Sequence, residues 1–314
     1  MPDSTIRSDV RDFLAYLAGA DYRPPAGDID VRTVRASFDS SVPRTDLSVG
    51  ELATIQDLTI PSPAGGIPAR LFDPRLTRAA GPAVAWFHGG GFVTGGLDSY
   101  TSLAAQVSRE LDLPVVLVDY RLAPESPFPA AHDDAETAAR WLATGPPELG
   151  RAVDALVLAG DSAGGNLTIA TTMALRDRPA AVPVLAQLAV CPSTDGTRTY
   201  PSEEEFADGY LLTRAGRRWY REQHRPVSND VRMSPLLGEF TGLPPAVVLT
   251  AGLDPNRDEG RAYAAALVAA GVPTTYREAT GNIHAFVLLR KVVPSAQGDI
   301  TSALTALREA LTTT

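Results

Sequence analysis

The sequence has little cysteine and no long apolar run. Cys191 is the single cysteine among 314 residues, so an internal disulfide is impossible, and we expect a small, buried apolar side chain there. No stretch of about 18 consecutive apolar residues is present, and residues 1–7 lack the basic-then-apolar pattern of a secretory signal peptide. These absences predict a protein that does not cross a membrane and that resides in the cytoplasm.

Concentrated positive charge is also absent. The chain carries 37 acidic and 28 basic residues, a net charge of −9, and its basic residues are scattered, so nucleic acid is not an expected partner. Neither G-x-x-x-x-G-K-[ST] nor a helix-opening G-x-G-x-x-G occurs, which argues against nucleotide binding. The nearest approach to a basic stripe is interpreted as the solvated face of a helix rather than a site for a charged ligand (Arg214, Arg217, Arg218, Arg221 and Arg225).

Ser162 lies in a glycine-flanked segment between a predicted strand and a predicted helix. Residues 159–165 read AGDSAGG and directly follow the apolar run 155–158. A serine hydroxyl is a weak nucleophile, so it must be held at a tight strand-to-helix turn where a base can reach it. Gly160 and Gly164 remove the Cβ atoms that would obstruct such a turn. The segment predicts a nucleophile elbow, although by itself it also fits a glycine-rich connection in an α/β protein.

A second glycine-rich segment lies upstream, directly after a strand-like apolar run. It reads His88-Gly89-Gly90-Gly91, and consecutive glycines leave their backbone amides uncovered. We predict that the amides of Gly90, Gly91 and Ala163 form an oxyanion hole for acyl transfer. Gly89 would permit the path of the loop, and the His88 imidazole would anchor it by hydrogen bonds. A flexible turn is the alternative interpretation.

The general base is predicted from a choice of four histidines. His88 belongs to the glycine loop, His132 opens a predicted helix, and His224 lies in a charged stretch. His284 lies on a loop after a predicted strand, and in the chain order serine, acid, histidine it follows both other candidates. An imidazole there can accept the serine proton and return it near neutral pH. We therefore predict His284 as the base.

Two aspartates compete to orient that histidine. Asp254 directly follows the apolar strand predicted at 246–251, where side chains of an open α/β sheet meet ligands. Asp258 begins a predicted helix, where acidic residues commonly serve as caps. We predict Asp254 as the orienting acid. Asp161, beside the nucleophile, is expected to point away from the base and to support the site through hydrogen bonds.

Taken together, these segments resemble the hormone-sensitive-lipase family of α/β hydrolases, also called bacterial family IV esterases. The chain departs from the family pattern at Asn256, where an apolar or basic residue is usual, and at Ala285, where glycine is frequent. The resemblance implies a triad of Ser162, Asp254 and His284, and it implies neither a metal nor an organic cofactor. It is carried by the glycine loop, the GDSAGG elbow, DYRLAPE at 119–125, FPAA with two aspartates at 128–134, DPNRDEG at 254–260 and GNIHAF at 281–286.

The alternation of strands and helices predicts an α/β fold with a mainly parallel central sheet covered by helices on both faces. Within one catalytic domain, we expect the α/β-hydrolase core in two parts, 46–195 and 236–314. The resemblance implies that residues 1–45 form the N-terminal part of a helical cap over the active site. An insertion at 196–235 would complete that cap.

The expected function is hydrolysis of carboxylic esters of small molecules through an acyl-enzyme intermediate, and the resemblance implies short- to medium-chain esters. An amidase or deacylase that acts on a specific metabolite with the same triad is the alternative within the enzymes. A non-enzymatic ligand-binding protein on this scaffold is disfavoured, because all three triad residues are present. Relatives often pair through an edge strand, so a homodimer is a candidate assembly.

Overall fold

A computed structural model describes residues 6–20, 22 and 24–312 of the chain. Residues 1–5, on which part of the signal-peptide comparison and of the cap prediction depends, lie outside the described residues, as do residues 21 and 23 of the predicted cap. Eight strands of the described chain form one sheet in the order β1-β2-β4-β3-β5-β6-β7-β8. They are β1 Thr54–Ile60, β2 Ile67–Asp73, β3 Gly81–Phe87, β4 Val115–Val118, β5 Val153–Asp161, β6 Val184–Val190, β7 Ala246–Leu253 and β8 Thr274–Ile283.

The sheet is parallel from β4 to β8 and antiparallel where β2 meets β1 and β4. Its central strands carry apolar residues on both sides. In β3, Val84 and Trp86 enter one buried core, whereas Ala83, Ala85 and Phe87 enter the core on the opposite face. Since successive side chains of a strand point to opposite faces, helices must cover both sides. The predicted α/β-hydrolase architecture is confirmed.

The helices supply these two covering layers. The described chain forms α1 Ser8–Gly19, α2 Val31–Thr45, α3 Leu97–Leu111, α4 Ala130–Ala143, α5 Ala163–Asp177, α6 Pro201–Glu205, α7 Arg214–His224, α8 Arg257–Ala269 and α9 Ala296–Thr312. Helices α3 and α9 pack against each other and α4 packs against α5. Among the described residues, no helix combines the length and apolar character that a membrane crossing requires.

Helices α2 and α7, from the two segments predicted as a cap, are joined in one small apolar cluster. Val34 of α2 and Trp219 of α7 are buried there with Val93 and Ala123. Arg35 adds polar anchors, because its guanidinium donates to the carbonyl oxygens of Val93 and Ala123, each at 2.8 Å. Val93 and Ala123 lie on loops that follow β3 and β4, so α2 and α7 meet over the same edge of the core.

Helix α7 is also attached to the core through a buried ion pair. The guanidinium of Arg217 donates to Glu259 of α8 at 2.8 Å, and the Glu259 side chain is fully buried. The other Glu259 oxygen accepts from the backbone amides of Thr194 and Asp195, at 2.7 and 3.0 Å. The predicted solvated arginine face is therefore right for Arg214, Arg218, Arg221 and Arg225, which are exposed. Arg217 differs because its partner Glu259 is buried.

Candidate active site

Ser162 lies between β5 and α5 in a backbone conformation that L-residues rarely adopt. Its φ is 54° and its ψ is −115°. Backbone hydrogen bonds hold it there, because its amide donates to Val190 O at 2.8 Å and its carbonyl accepts from Asn166 N at 3.1 Å. The side chain is partly exposed. Backbone strain of this kind is found at functional sites, where the surrounding structure keeps it in place.

The two glycines that the elbow prediction singled out are sterically required. A Cβ atom on Gly160 would lie 2.5 Å from the carbonyl oxygen of Phe87 and would collide with Gly164. A Cβ atom on Gly164 would overlap the Phe87 carbonyl oxygen and would lie 2.6 Å from that of His88. The start of α5 therefore packs directly on the backbone after β3, which brings Ser162 beside the glycine loop.

His284 and Asp254 reach Ser162 from the carboxyl ends of two neighbouring strands. His284 directly follows β8 and Asp254 directly follows β7. The Nδ1 atom of His284 lies 2.7 Å from Oδ2 of Asp254, and its Nε2 atom lies 2.9 Å from Oγ of Ser162. A carboxylate only accepts, so Nδ1 carries the hydrogen and the lone pair of Nε2 faces the serine hydroxyl. This tautomer is the one a general base requires.

Asp254 is fully buried and held from several sides. Its Oδ1 atom accepts from the backbone amide of Asn256 at 2.8 Å. The side chain of Asn256, one of the two departures from the family pattern, donates to Cys191 O at 3.2 Å and so ties the same loop to the end of β6. Ala285, the other departure, has a φ of 61°, a left-handed conformation that glycine adopts without strain.

Cys191 is buried in the apolar core, as the sequence predicts, with Asp254 and His284 as polar neighbours. Burial, followed by the charge of the neighbouring Asp254, raises the pKa of its thiol far above its ordinary value. The potential metal-ligating atoms of Cys191, Asp254 and His284 all lie within 4.8 Å of one another. The 2.7 Å separation of the carboxylate and the imidazole is that of a hydrogen bond, which accounts for the cluster without an ion.

The glycine loop next to the elbow has backbone amides without hydrogen-bond partners among the described residues. Gly90 and Gly91 have φ values of 119° and 61°, and Gly90 O accepts from the amides of Val93 and Thr94 in a tight turn. Within the part of the chain that the structure describes, the amides of Gly90, Gly91 and Ala163 donate no hydrogen bond. Free donors beside a serine are what an oxyanion requires.

Asp161 and Tyr100 hold Gly89, the first glycine of the glycine loop, by hydrogen bonds. The amide of Gly89 donates to Asp161 Oδ1 at 3.1 Å and to the Tyr100 hydroxyl at 3.0 Å. That hydroxyl in turn donates to Asp161 Oδ2 at 2.8 Å. Burial raises the pKa of Asp161 to about 6, although its hydrogen bond to Tyr100 opposes the shift. Asp161 thus contacts the loop rather than His284.

His88 is fully buried beneath the same loop. Its Nδ1 atom lies 2.8 Å from Gly89 O, and its ring stacks on Tyr120 with centroids 4.2 Å apart. Tyr120 also donates its hydroxyl hydrogen to His88 O at 2.7 Å. Burial lowers the pKa of His88 to about 4, so the ring is neutral near pH 7.

The two remaining histidines have other partners. His132 hydrogen-bonds Asn166 through Nε2 at 2.8 Å, and His224 stacks on Phe92 with ring centroids 4.0 Å apart. Burial lowers the pKa of His132 to about 4 and that of His224 to about 3. Neither ring forms a hydrogen bond with Ser162 or Asp254 in the described chain.

Comparison with known proteins places the chain in a family. Residues 84–288 match a family described by the alpha/beta hydrolase fold. The esterase LipI of Mycobacterium tuberculosis is 40% identical over 82% of each chain. The ethyl acetate hydrolase of Pseudomonas putida is 34% identical over 96% of this chain and 98% of its own.

Solved structures agree with these relatives. The ester hydrolase EH1AB1 from the metagenome of Lake Arreo, solved with a bipyridine phosphonate derivative, superposes with a TM-score of 0.89. It is 35% identical, over 97% of this chain and 98% of that chain. The chain therefore belongs to the hormone-sensitive-lipase family of alpha/beta hydrolases, which confirms the family predicted from its motifs.

Proposed function

We propose that this protein is a serine carboxylesterase that hydrolyses short- to medium-chain esters of small molecules in two acyl-transfer steps. The observation that carries the proposal is the hydrogen-bonded series Asp254, His284 and Ser162, with separations of 2.7 and 2.9 Å, beside unused backbone amides. The names of the relatives support the same reaction class.

In the first step, Ser162 Oγ attacks the ester carbonyl while His284 Nε2 takes its proton. His284 then returns that proton to the departing alcohol, which leaves an acyl group on Ser162. Asp254 keeps the hydrogen on Nδ1 and stabilises the imidazolium without taking the proton itself. In the second step, His284 activates a water molecule that attacks the acyl-enzyme and releases the acid.

The amides of Gly90, Gly91 and Ala163 are the proposed donors to the tetrahedral oxyanion. Such donors act only where charge develops, and each is typically worth about 3 kcal/mol of transition-state stabilisation. Gly89, His88 and Asp161 would support these donors by fixing the loop. The reaction uses no metal ion or organic cofactor, because acid–base chemistry, nucleophile and oxyanion donors all come from the chain.

The preference for short or medium acyl groups is supported by a residue of α7. The ring of Tyr220 lies over Gly91 so closely that a Cβ atom on Gly91 would be 2.5 Å from the ring. The ring therefore occupies space beside the proposed oxyanion hole. We propose that residues 1–45 and 196–235 form a cap over the core 46–195 and 236–314.

We further propose that the protein acts in the cytoplasm, without a nucleic-acid partner. Strand β8 lies at the end of the sheet order and would be the pairing edge of a homodimer. Light scattering of the purified chain tests the dimer, because a monomeric mass at micromolar concentration would contradict it.

The reaction class is tested with p-nitrophenyl esters from acetate to dodecanoate and with the matching anilides. The Ser162→Ala variant should lose a factor on the order of 10⁶ in kcat. Ser40→Ala, which removes an exposed hydroxyl on α2, serves as the matched control and should keep full activity. Faster anilide than ester cleavage would favour the amidase alternative. Ester turnover no greater than that of Ser162→Ala would exclude the proposed reaction and favour a binding protein.

A further inference from the structure

The hydrogen-bonding pattern around His88 leaves one of its ring nitrogens facing a carboxyl group. Gly89 O can only accept, so the 2.8 Å contact requires a hydrogen on His88 Nδ1. The ring is neutral near pH 7, because burial lowers its pKa to about 4. A neutral imidazole with its hydrogen on Nδ1 has a lone pair on Nε2, which must accept a hydrogen bond.

No donor for that lone pair exists among the described residues. His88 Nε2 is buried without a hydrogen-bond partner, and the atom it faces is Oδ1 of Asp119, at 3.8 Å. An ionised carboxylate is also an acceptor only, so the two atoms repel unless a hydrogen lies between them. At 3.8 Å the two atoms are too far apart for a direct hydrogen bond, so a water molecule that donates to both atoms can supply that hydrogen.

The surroundings of Asp119 oppose ionisation of its carboxyl group. Burial, followed by the charge of Asp98 on α3, raises the pKa of Asp119 to about 6. Asp39 on α2 acts in the same direction, and Arg70 on β2 opposes it. Arg70 forms ion pairs with Asp57 and Asp98, so its positive charge stabilises the Asp119 carboxylate only weakly.

We propose that Asp119 is a positioning residue for the oxyanion hole, because a hydrogen held between its carboxyl group and His88 Nε2 fixes the imidazole that holds Gly89. This inference deepens the proposed esterase function and rests on it for its kinetic consequences. The effect reaches the reaction through the chain: Gly89 directly precedes the two glycines whose amides are the proposed oxyanion donors.

The geometry explains why such a fixing contact is needed. Stacking on Tyr120 holds the plane of the His88 ring but does not distinguish its two flipped orientations. Only one orientation places the Nδ1 hydrogen on Gly89 O. Gly95 packs against the Nδ1 edge of the ring, since a Cβ atom on Gly95 would lie 2.7 Å from His88 Nδ1. A donor at Nε2 therefore selects the orientation that the loop requires.

The test compares Asp119→Asn with Asp119→Leu, two variants of similar volume that both lack the carboxylate charge. The amide of asparagine can donate to Nε2, whereas leucine cannot. We expect kcat for p-nitrophenyl esters to fall about tenfold in Asp119→Leu, the cost of one hydrogen bond, with KM little changed. Asp119→Asn should restore kcat to within about threefold of the parent protein.

The matched controls replace an aspartate outside this network in the same two ways. Asp98 itself is unsuitable as a control, because its charge raises the pKa of Asp119. The control substitutions are therefore Asp154→Asn and Asp154→Leu: Asp154 is exposed at the start of β5, the end of the strand opposite Ser162, so both variants should keep the parent kcat. The proposal is overturned if Asp119→Asn is as slow as Asp119→Leu, because the carboxylate charge would then be what matters. It is equally overturned if Asp119→Leu keeps the parent kcat.

A spectroscopic measurement separates this proposal from the esterase reaction. Imidazole ¹⁵N NMR of the intact protein should show His88 with its hydrogen on Nδ1 and a hydrogen-bonded Nε2. The Nε2 resonance should move toward the free lone-pair position in Asp119→Leu and stay in Asp119→Asn. This readout requires folded protein, which thermal unfolding monitors, but no turnover. A His88 resonance with its hydrogen on Nε2 would contradict the proposal even if the enzyme hydrolyses esters.

Discussion

Asp254 and Asp258 lie four residues apart, yet they belong to separate hydrogen-bond networks. Asp254 accepts from His284 Nδ1 at 2.7 Å. Asp258 instead accepts from the backbone amide of Ser202 at 3.0 Å and pairs with Arg257 at 2.9 Å, so it joins α6 to the start of α8. One aspartate touches the proposed base, and the other holds a helix of the insertion.

This separation predicts opposite outcomes for two equivalent substitutions. Asp254→Asn should lower kcat by about 10⁴, because the amide favours the wrong imidazole tautomer. Asp258→Asn should leave kcat near that of the parent protein and lower the free energy of unfolding by about 1 kcal/mol. Ester hydrolysis and urea unfolding measure the two effects. A larger kcat loss at position 258 would mean that the acid has been assigned wrongly.

Gly164→Ala should be strongly destabilising. Its methyl group would overlap the carbonyl oxygen of Phe87, a backbone atom that cannot move aside without shifting β3. We expect a loss of about 3 kcal/mol in the free energy of unfolding, together with loss of activity. Gly298→Ala is the control, because no atom lies within 4 Å of the added methyl group in α9. Alanine there should stabilise the helix by roughly 0.5–1 kcal/mol. Equal unfolding curves for the two variants would contradict the packing argument.

Tyr220 should set the upper limit of acyl-chain length. Tyr220→Ala removes the ring that lies over Gly91 and leaves apolar space beside the glycine loop. Each additional buried methylene contributes about 0.8 kcal/mol, so kcat/KM for octanoate relative to acetate should rise roughly tenfold. Tyr220→Phe keeps the ring and should keep the parent preference, as should Arg218→Ala on the exposed side of α7. An unchanged chain-length profile in Tyr220→Ala would show that the ring does not line the acyl site.

His224 should make the protein less stable in acid. Burial lowers its folded pKa to about 3, below the unfolded value of about 6.5, so the unfolded chain binds the proton first as the pH falls. The stability that neutral His224 contributes is present above about pH 6.5 and is lost as the pH falls toward 3. His224→Phe preserves an aromatic ring against Phe92 but cannot titrate. The quantity to compare is the free energy of unfolding of His224→Phe minus that of the parent protein. This difference should be about 2 kcal/mol larger at about pH 5 than at about pH 7.5.

Urea unfolding at both pH values measures that difference. The comparison between pH values cancels any change in packing, because the larger ring is present in the variant at each pH. A pH-independent difference would show that His224 titrates normally in the folded protein.

The parts of this molecule that were predictable from sequence depend on local chemistry. Gly160 and Gly164 flank Ser162 because the turn leaves no room for a side chain at either position. The elbow can therefore be predicted from a segment of seven residues. Buried parallel strands likewise appear as short apolar runs. Chain order and strand ends then suffice to choose His284 and Asp254, and the structure brings both side chains to Ser162.

What was missed depends on contacts between distant segments. Cys191 was expected to be simply apolar, but its thiol meets Asp254, which lies 63 positions further along the chain. Nothing near Asp119 in sequence indicates that its carboxyl group faces the buried nitrogen of His88. Such pairings follow from how loops fold over the sheet edge, and single residues carry no pattern from which they could be inferred.

The buried carboxylate of Glu259 keeps α7 attached to the core through Arg217. If α7 detached, the Glu259 carboxylate would lose its ion pair with Arg217 and remain buried as an unpaired charge. Such a loss costs roughly 3 kcal/mol. A fully detached α7 would then be present in fewer than about one molecule in a hundred. Interfacial activation requires an open form that an oil surface can stabilise, and a molecule with so little detached α7 offers almost none of that form. Dissolved and emulsified esters should therefore be turned over at the same rate for equal free concentrations.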